Sequence, residues 1–185
     1  MKRIAIKDLM VPLEEYATVF EEATLAEAIR ALELAQQAFD HTKYRHRAIL
    51  VLNKDGHVVG KVSQRDALKA LEPKYKEIQG EDTKTAFRHF SRMFLTSMLE
   101  HHRLFDIPLE DLRKKADTLK VKEFMRTLSV DECLNENAVL DEAVHILIMG
   151  RHQSVLVTRN SKVVGILRLT DVFAAVFQTL EGQSD

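Results

Sequence analysis

Two stretches of the chain carry the same run of apolar and polar positions. His57–Asp66 and Lys162–Asp171 each read as an apolar strand entering a glycine, then a polar step, then an aspartate that opens a helix. The repetition extends upstream. Ile4–Met10 and Leu119–Met125 are short alternating lead-ins, with Met10 and Met125 lying 115 positions apart. The same spacing carries Thr24–Leu32 onto Val139–Leu147. Leu25, Ala28, Ile29 and Leu32 make the apolar stripe of an amphipathic helix, echoed by Leu140, Ala143, Val144 and Leu147. Thr24 and Glu27 have the spacing of a capping box, which satisfies free amides at a helix start. The second copy lacks that threonine, and Gly150 is placed to end its helix as a C-cap. The first helix reads on through Leu34, Ala35, Ala38 and Phe39.

Ala48–Leu52 and Ser154–Thr158 are apolar and β-branched, as buried strands are. Asn53-Lys-Asp-Gly56 predicts a tight hairpin, because Asp-Gly tolerates positive φ, and Arg159-Asn-Ser-Lys162 does the same less sharply. Helices open at Asp66, with Ala67, Leu68 and Leu71, and at Asp171, with Val172, Phe173, Val176 and Phe177. Each repeat is therefore lead strand, helix, strand, strand, helix. A hairpin with two helices is too small to stand alone, so the copies are expected to pack together. The predicted units are residues 1–75, an insert over 76–118, and 119–185.

The insert predicts a long helix bounded by Gly80, with Phe87, Phe90, Phe94, Ser97, Met98 and His101 on one face. Pro108 marks the start of a second helix carrying Leu109, Leu112 and Ala116. A Phe- and Met-rich pair of this kind is a packing or dimer surface that something must cover.

Composition narrows the function classes. The 185 residues carry a formal net charge of −1, which gives no general pull toward nucleic acid or anionic membrane. The start has no signal-peptide core and no run of about 18 apolar residues occurs, so a soluble cytoplasmic chain is expected. The single cysteine, Cys133, cannot close an intrachain disulfide, which fits a reducing compartment.

Thr18–Ile29, the apolar strand, the Asp-Gly turn and Gly60-x-x-Ser63-x-x-Asp66 together resemble the CBS domain, named after cystathionine β-synthase. The second copy resembles it too, so the chain looks like a tandem CBS pair, or Bateman module, of α/β (α+β) class. The resemblance implies two β-α-β-β-α repeats in pseudo-twofold symmetry with their sheets face to face. It implies two clefts between the repeats that take adenosyl ligands such as AMP, ADP, ATP or S-adenosylmethionine, pairing into a flat homodimer, and control of a protein partner. No cofactor is required.

A carboxylate accepts hydrogen bonds from both hydroxyls of a ribose diol. Asp66 and Asp171 match the family's ribose-binding aspartate, yet each also stands where a helix is capped, and the two roles compete for the same oxygens. Ser63 matches the family's hydroxyl position. The second copy has Arg168 there, with Thr170 as its nearest hydroxyl. Arg168 either reaches a phosphate or fills the cleft, so the first cleft is the stronger candidate. His46 and Arg47 resemble a phosphate-facing His-Arg pair, against the plainer reading of a wet loop over Lys43–Arg47. The second copy has His152 followed by Gln153. Backbone groups near Thr18, Val19, Cys133 and Leu134 match the adenine edge, and Ile49 and Val155 are core positions that could wall the clefts.

Other chemistry is excluded by spacing. His89, His101 and His102 do not make the i, i+4 pair of a zinc helix. Cys133 lacks a neighbouring base and is expected to be buried. The chain has six glycines, none clustered into a phosphate loop. Arg113-Lys114-Lys115 reads as a solvated helix face. With no acid, base and nucleophile set, the sequence points away from an enzyme. A ligand-free scaffold that docks a partner through the Phe-rich insert is the competing reading.

Overall fold

The computed structural model of the chain describes residues 4–38, 46–78 and 91–182. The first repeat contributes β1 (Val11–Pro12), β2 (Thr18–Phe20), α1 (Leu25–Ala38), β3 (Ala48–Leu52), β4 (Val58–Ser63) and α2 (Gln64–Leu71). The insert contributes α3 (Lys74–Ile78), α4 (Arg92–His101) and α5 (Leu109–Thr118). The second repeat contributes β5 (Arg126–Thr127), β6 (Cys133–Asn135), α6 (Leu140–Met149), β7 (Ser154–Arg159), β8 (Lys162–Arg168) and α7 (Leu169–Leu180).

The local chemistry follows the predicted punctuation. Thr24 N–H donates to Glu27 at 2.7 Å and Glu27 N–H donates to the Thr24 hydroxyl at 3.2 Å, closing the capping box of α1. In the first hairpin Gly56 takes φ +77° and the Asn53 side chain accepts from the amides of Asp55 and His57. Its counterpart turns on Asn160 and Ser161, both at positive φ. At the end of α6 the left-handed residue is Arg151, at φ 52°, while Gly150 stays at φ −78°. Space favours glycine there instead: a Cβ on Gly150 would meet the His152 ring and lie 2.9 Å from the Ile146 carbonyl.

The lead-ins depart from expectation in form and in place. The expected lead strand at Ile4–Met10 is a 3-10 turn over Ile6–Asp8, and its echo is another over Val121–Glu123. Alternation over a few residues does not separate a strand from a turn whose Ile6 or Val121 is fully buried. Each lead-in also crosses to the other repeat. Among the described residues the strands form two sheets, ordered β1-β8-β7-β6 and β2-β3-β4-β5. Val11 pairs with Ile166 and Pro12 with Gly165, while Thr127 pairs with Gly60 and Arg126 with Lys61. The repeated glycines are thus mid-strand positions where the crossing segment lies close. A Cβ on Gly165 would sit 2.6 Å from the Val11 carbonyl and 2.8 Å from Met10 Sδ, and one on Gly60 would sit 2.8 Å from the Arg126 carbonyl and from Met125 Sδ.

Strand alternation sorts the core into three groups. Ile49, Val51 and Val62 face Ala28 and Leu32 of α1, joined by the crossed-over Val121. Val155, Val157 and Leu167 face Leu140, Ala143 and Leu147 of α6, joined by Ile6. The residues between, Leu50, Leu156 and Ile166, meet one another with Val11 and Tyr16 and hold the two sheets together. α5 leans on α1 and α2, and Lys115 donates to the Leu71 carbonyl at 2.8 Å, so that part of the basic run is an anchor. Pro108 caps α5 as expected. α4 presents Phe94, Ser97, Met98 and His101 after a Ser91 cap, whereas Phe39, Gly80, Phe87, His89 and Phe90 lie outside the described residues. No helix among the described residues is long and apolar enough to cross a membrane.

Candidate functional site

Position in the sheet decides what each candidate touches. In the first sheet Thr18, Leu50, Lys61 and Arg126 form one row across the four strands. The matching row of the second sheet is Cys133, Leu156, Ile166 and Val11. Since Leu50, Leu156 and Ile166 point at the opposite sheet, so does Lys61, a charge in an otherwise apolar layer. Glu132, immediately before β6, supplies its partner. Lys61 Nζ lies 2.5 Å from Glu132 Oε2 and 3.4 Å from the Ser154 carbonyl, and both side chains are under a tenth exposed. Arg126 Nη2 lies 2.5 Å from Glu132 Oε1, and His152 Nδ1 lies 3.6 Å from the same oxygen. Burial opposes ionisation of Glu132, but the Lys61 hydrogen bond and the charges of Lys61 and Arg126 hold its carboxyl below the usual range.

The first aspartate lies in the first turn of α2. Ser63 is the N-cap of α2: its hydroxyl oxygen accepts from Asp66 N–H at 3.2 Å, and its O–H donates to Asp66 Oδ2 at 2.6 Å. Ser63 N–H donates to the same Oδ2 at 3.0 Å. Asp66 Oδ1 takes no hydrogen bond among the described residues. The capping role and the ligand role therefore divide one carboxylate between its two oxygens.

The second aspartate is arranged differently. Arg168 N–H and Nε–H donate to Asp171 Oδ2 at 3.1 and 2.7 Å, and Nη2 donates to Oδ1 at 2.5 Å. Both carboxylate oxygens are engaged, and the two side chains are 7% and 13% exposed. His46 is fully buried, with Tyr16 edge-on at a centroid distance of 4.3 Å. Burial and then the charge of Arg168 push the His46 imidazole down to about 4, with Asp171 acting in the opposite sense. Burial pushes the Tyr16 phenol up to about 12, with Arg168 and Asp171 again the nearby charges. His46, from the first repeat, thus belongs with Arg168 and Asp171 of the second. In the mirror arrangement, His152 stands beside Glu132 and Lys61.

The remaining candidates fall as follows. Arg47 is exposed, and its carbonyl accepts Gln64 N–H at 3.2 Å, matched by Leu169 N–H to the Gln153 carbonyl at 2.9 Å. Thr18 and Val19 pair with Leu50 and Val51 along an edge strand, which leaves its outer side unpaired by other described strands. Leu134 is buried core, and Thr170 is half-buried in the first turn of α7. Cys133 is half-buried where full burial was expected; its Sγ lies 3.6 Å from the Ser129 carbonyl, and burial and then Glu132 push its thiol up, away from nucleophile chemistry. Ile49 and Val155 are core. Sequence reasoning missed Tyr16, Lys61, Arg126 and Glu132. Lys61 alone carried a signal, as a charge inside an apolar strand. Among the described residues no group of acidic, His or Cys side chains is arranged to hold a metal.

The sequence matches the CBS domain family over residues 6–73 and 121–178. No curated protein is matched. Solved structures share the fold at low identity. CBSX2 of Arabidopsis thaliana, a CBS-pair protein, is 17% identical with a TM-score of 0.60 over 96% of each chain. CBSX2 in complex with AMP gives 17% and 0.58, covering 95% of this chain and 98% of that one. The CBS-domain protein ATU1752 of Agrobacterium tumefaciens gives 21% and 0.56, covering 95% and 97%.

Proposed function

The chain belongs to the CBS domain family as a tandem pair, and from that premise we propose that it is a regulatory module whose Ser63–Asp66 edge binds an adenosine-containing ligand. The observation that carries this reading is the divided carboxylate: Oδ2 caps α2 while Oδ1 is left to accept from a sugar hydroxyl. The AMP bound to a protein of the same fold supports the ligand class. Occupancy bridges the repeats and is passed to a protein partner through its unequal affinity for two arrangements of the module.

A ligand bound only to the folded chain raises Tm with the logarithm of its concentration. Thermal shifts with AMP, ADP, ATP, S-adenosylmethionine and NAD are therefore the test, beside Asp66→Asn, whose amide oxygen still accepts Ser63 N–H. The expected result is an upward shift with at least one adenosyl compound that Asp66→Asn abolishes. No shift at millimolar concentration from any of them refutes the reading. It would favour the second one, a ligand-free scaffold, for which the specific observation is Glu132 against His152, a carboxylate where a nucleotide phosphate would approach.

A further inference from the structure

The asymmetry between the two aspartates has a chemical form. A ribose diol would approach a carboxylate as a pair of adjacent hydroxyl donors. Arg168 presents the same pattern from within the chain: Nε–H to Oδ2 and Nη2–H to Oδ1, at 2.7 and 2.5 Å, with its own amide adding a third donor at 3.1 Å. We propose that Arg168 is a built-in occupant of the second cleft, standing where a ligand's diol would stand, so that the chain takes one adenosyl ligand and not two. The ligand side of this inference rests on the Asp66 reading above.

Three features make this a closure and not a contact that a ligand displaces. Arg168 is 6% exposed, so a sugar that took over Asp171 would leave a buried guanidinium without its carboxylate. The first repeat also fills the space around this pair, since Tyr16 and His46, which both feel the charges of Arg168 and Asp171, are packed edge-to-face and are 5% and 0% exposed. Finally, the first repeat shows what the same corner looks like without arginine. Ser63 there closes the capping box with a short side chain and leaves one carboxylate oxygen open. Arg168→Ser thus transplants the corner of the first cleft into the second.

The experiment is a count of bound AMP, and separately of S-adenosylmethionine, per chain by equilibrium dialysis. The chains are wild type, Asp66→Asn, Arg168→Ser, Arg168→Thr and the double variant Asp66→Asn/Arg168→Ser, with folding checked by near-ultraviolet circular dichroism. One equivalent is expected on wild type, none on Asp66→Asn, two on either Arg168 variant and one on the double variant. Failure of the Asp66 reading has a different pattern: wild type binds nothing, yet an Arg168 variant gains one equivalent, which still supports the closure. Two equivalents on wild type overturn the proposal. So does a folded Arg168 variant that gains none. The His46 imidazole gives an independent readout by NMR, because removing the Arg168 charge raises a midpoint that stands at about 4 in the closed cleft.

Discussion

In Glu132→Ala the Lys61 ammonium keeps its place between the sheets and loses its carboxylate. What remains to it is the Ser154 carbonyl at 3.4 Å, in a position under a tenth exposed. Breaking a buried pair from one side costs about 3–5 kcal/mol, because the surviving charge is stranded. For a chain of this size, at about 2–4 °C per kcal/mol, the loss is on the order of 10 °C in Tm. Arg126, whose side chain is half exposed, simply hydrates and adds little. The chain itself supplies the repair. At the matched positions of the other half, Lys61 corresponds to Ile166 and Glu132 to Ala17, both buried and apolar. Lys61→Ile/Glu132→Ala therefore restores the solution already used across the pseudo-twofold, and its stability is expected within about 1 kcal/mol of wild type. The assay is urea unfolding followed by circular dichroism, with the midpoint and slope fitted together. An acid series adds a sign. The Glu132 carboxyl is held below its unfolded value, so its stabilisation is present above the ordinary carboxylate range and is lost as pH falls through the folded value. The double variant lacks that acid limb. Glu132→Ala within about 0.5 kcal/mol of wild type, or a double variant as unstable as Glu132→Ala, would refute the claim that this carboxylate holds a buried lysine.

Two further outcomes follow from the same geometry. Between pH 6.5 and about 4 the unfolded chain protonates His46 and the folded chain does not, so stability falls with acid across that window; His46→Asn flattens the slope of Tm against pH there. Gly165→Ala drives a methyl against the Val11 carbonyl, which as backbone cannot swing aside, and is expected to cost about 1–3 kcal/mol. Hydrogen exchange checks it: the amides of Val11 and Ile166 exchange faster, while Gly60→Ala produces the equivalent change at Arg126 and Thr127.

The parts of the fold legible in the sequence are those fixed by neighbours. Thr24 and Glu27 reach each other within one turn, and Gly56 supplies the φ of its own hairpin. The twice-repeated order of such local signals was enough to identify the tandem pair. The lead-ins were not legible in the same way. Ile6 and Val121 are buried in the core of the opposite repeat, and a pairing between Val11 and Ile166 leaves no mark on either stretch alone. The site divides along the same line. Ser63 and Asp66 are three residues apart, as are Arg168 and Asp171, so each pair shares one motif in the chain. That His46 lies with Arg168 and Asp171, or that Lys61 meets Glu132, depends on which strand faces which across the sheet interface. Spacing along the chain carries no information about that.

The crossed lead-ins bear on what a single repeat could be. A lone first repeat keeps β2, β3 and β4 but exposes the Gly60 edge, and it carries a β1 arm whose partner strand is elsewhere. A second molecule of the same kind trading arms would satisfy both, and in the tandem chain the other repeat takes that part while covalently tied. Cutting the chain within the insert should accordingly release two fragments that stay clasped and that reassemble when mixed, each one incomplete by a strand that only the other carries.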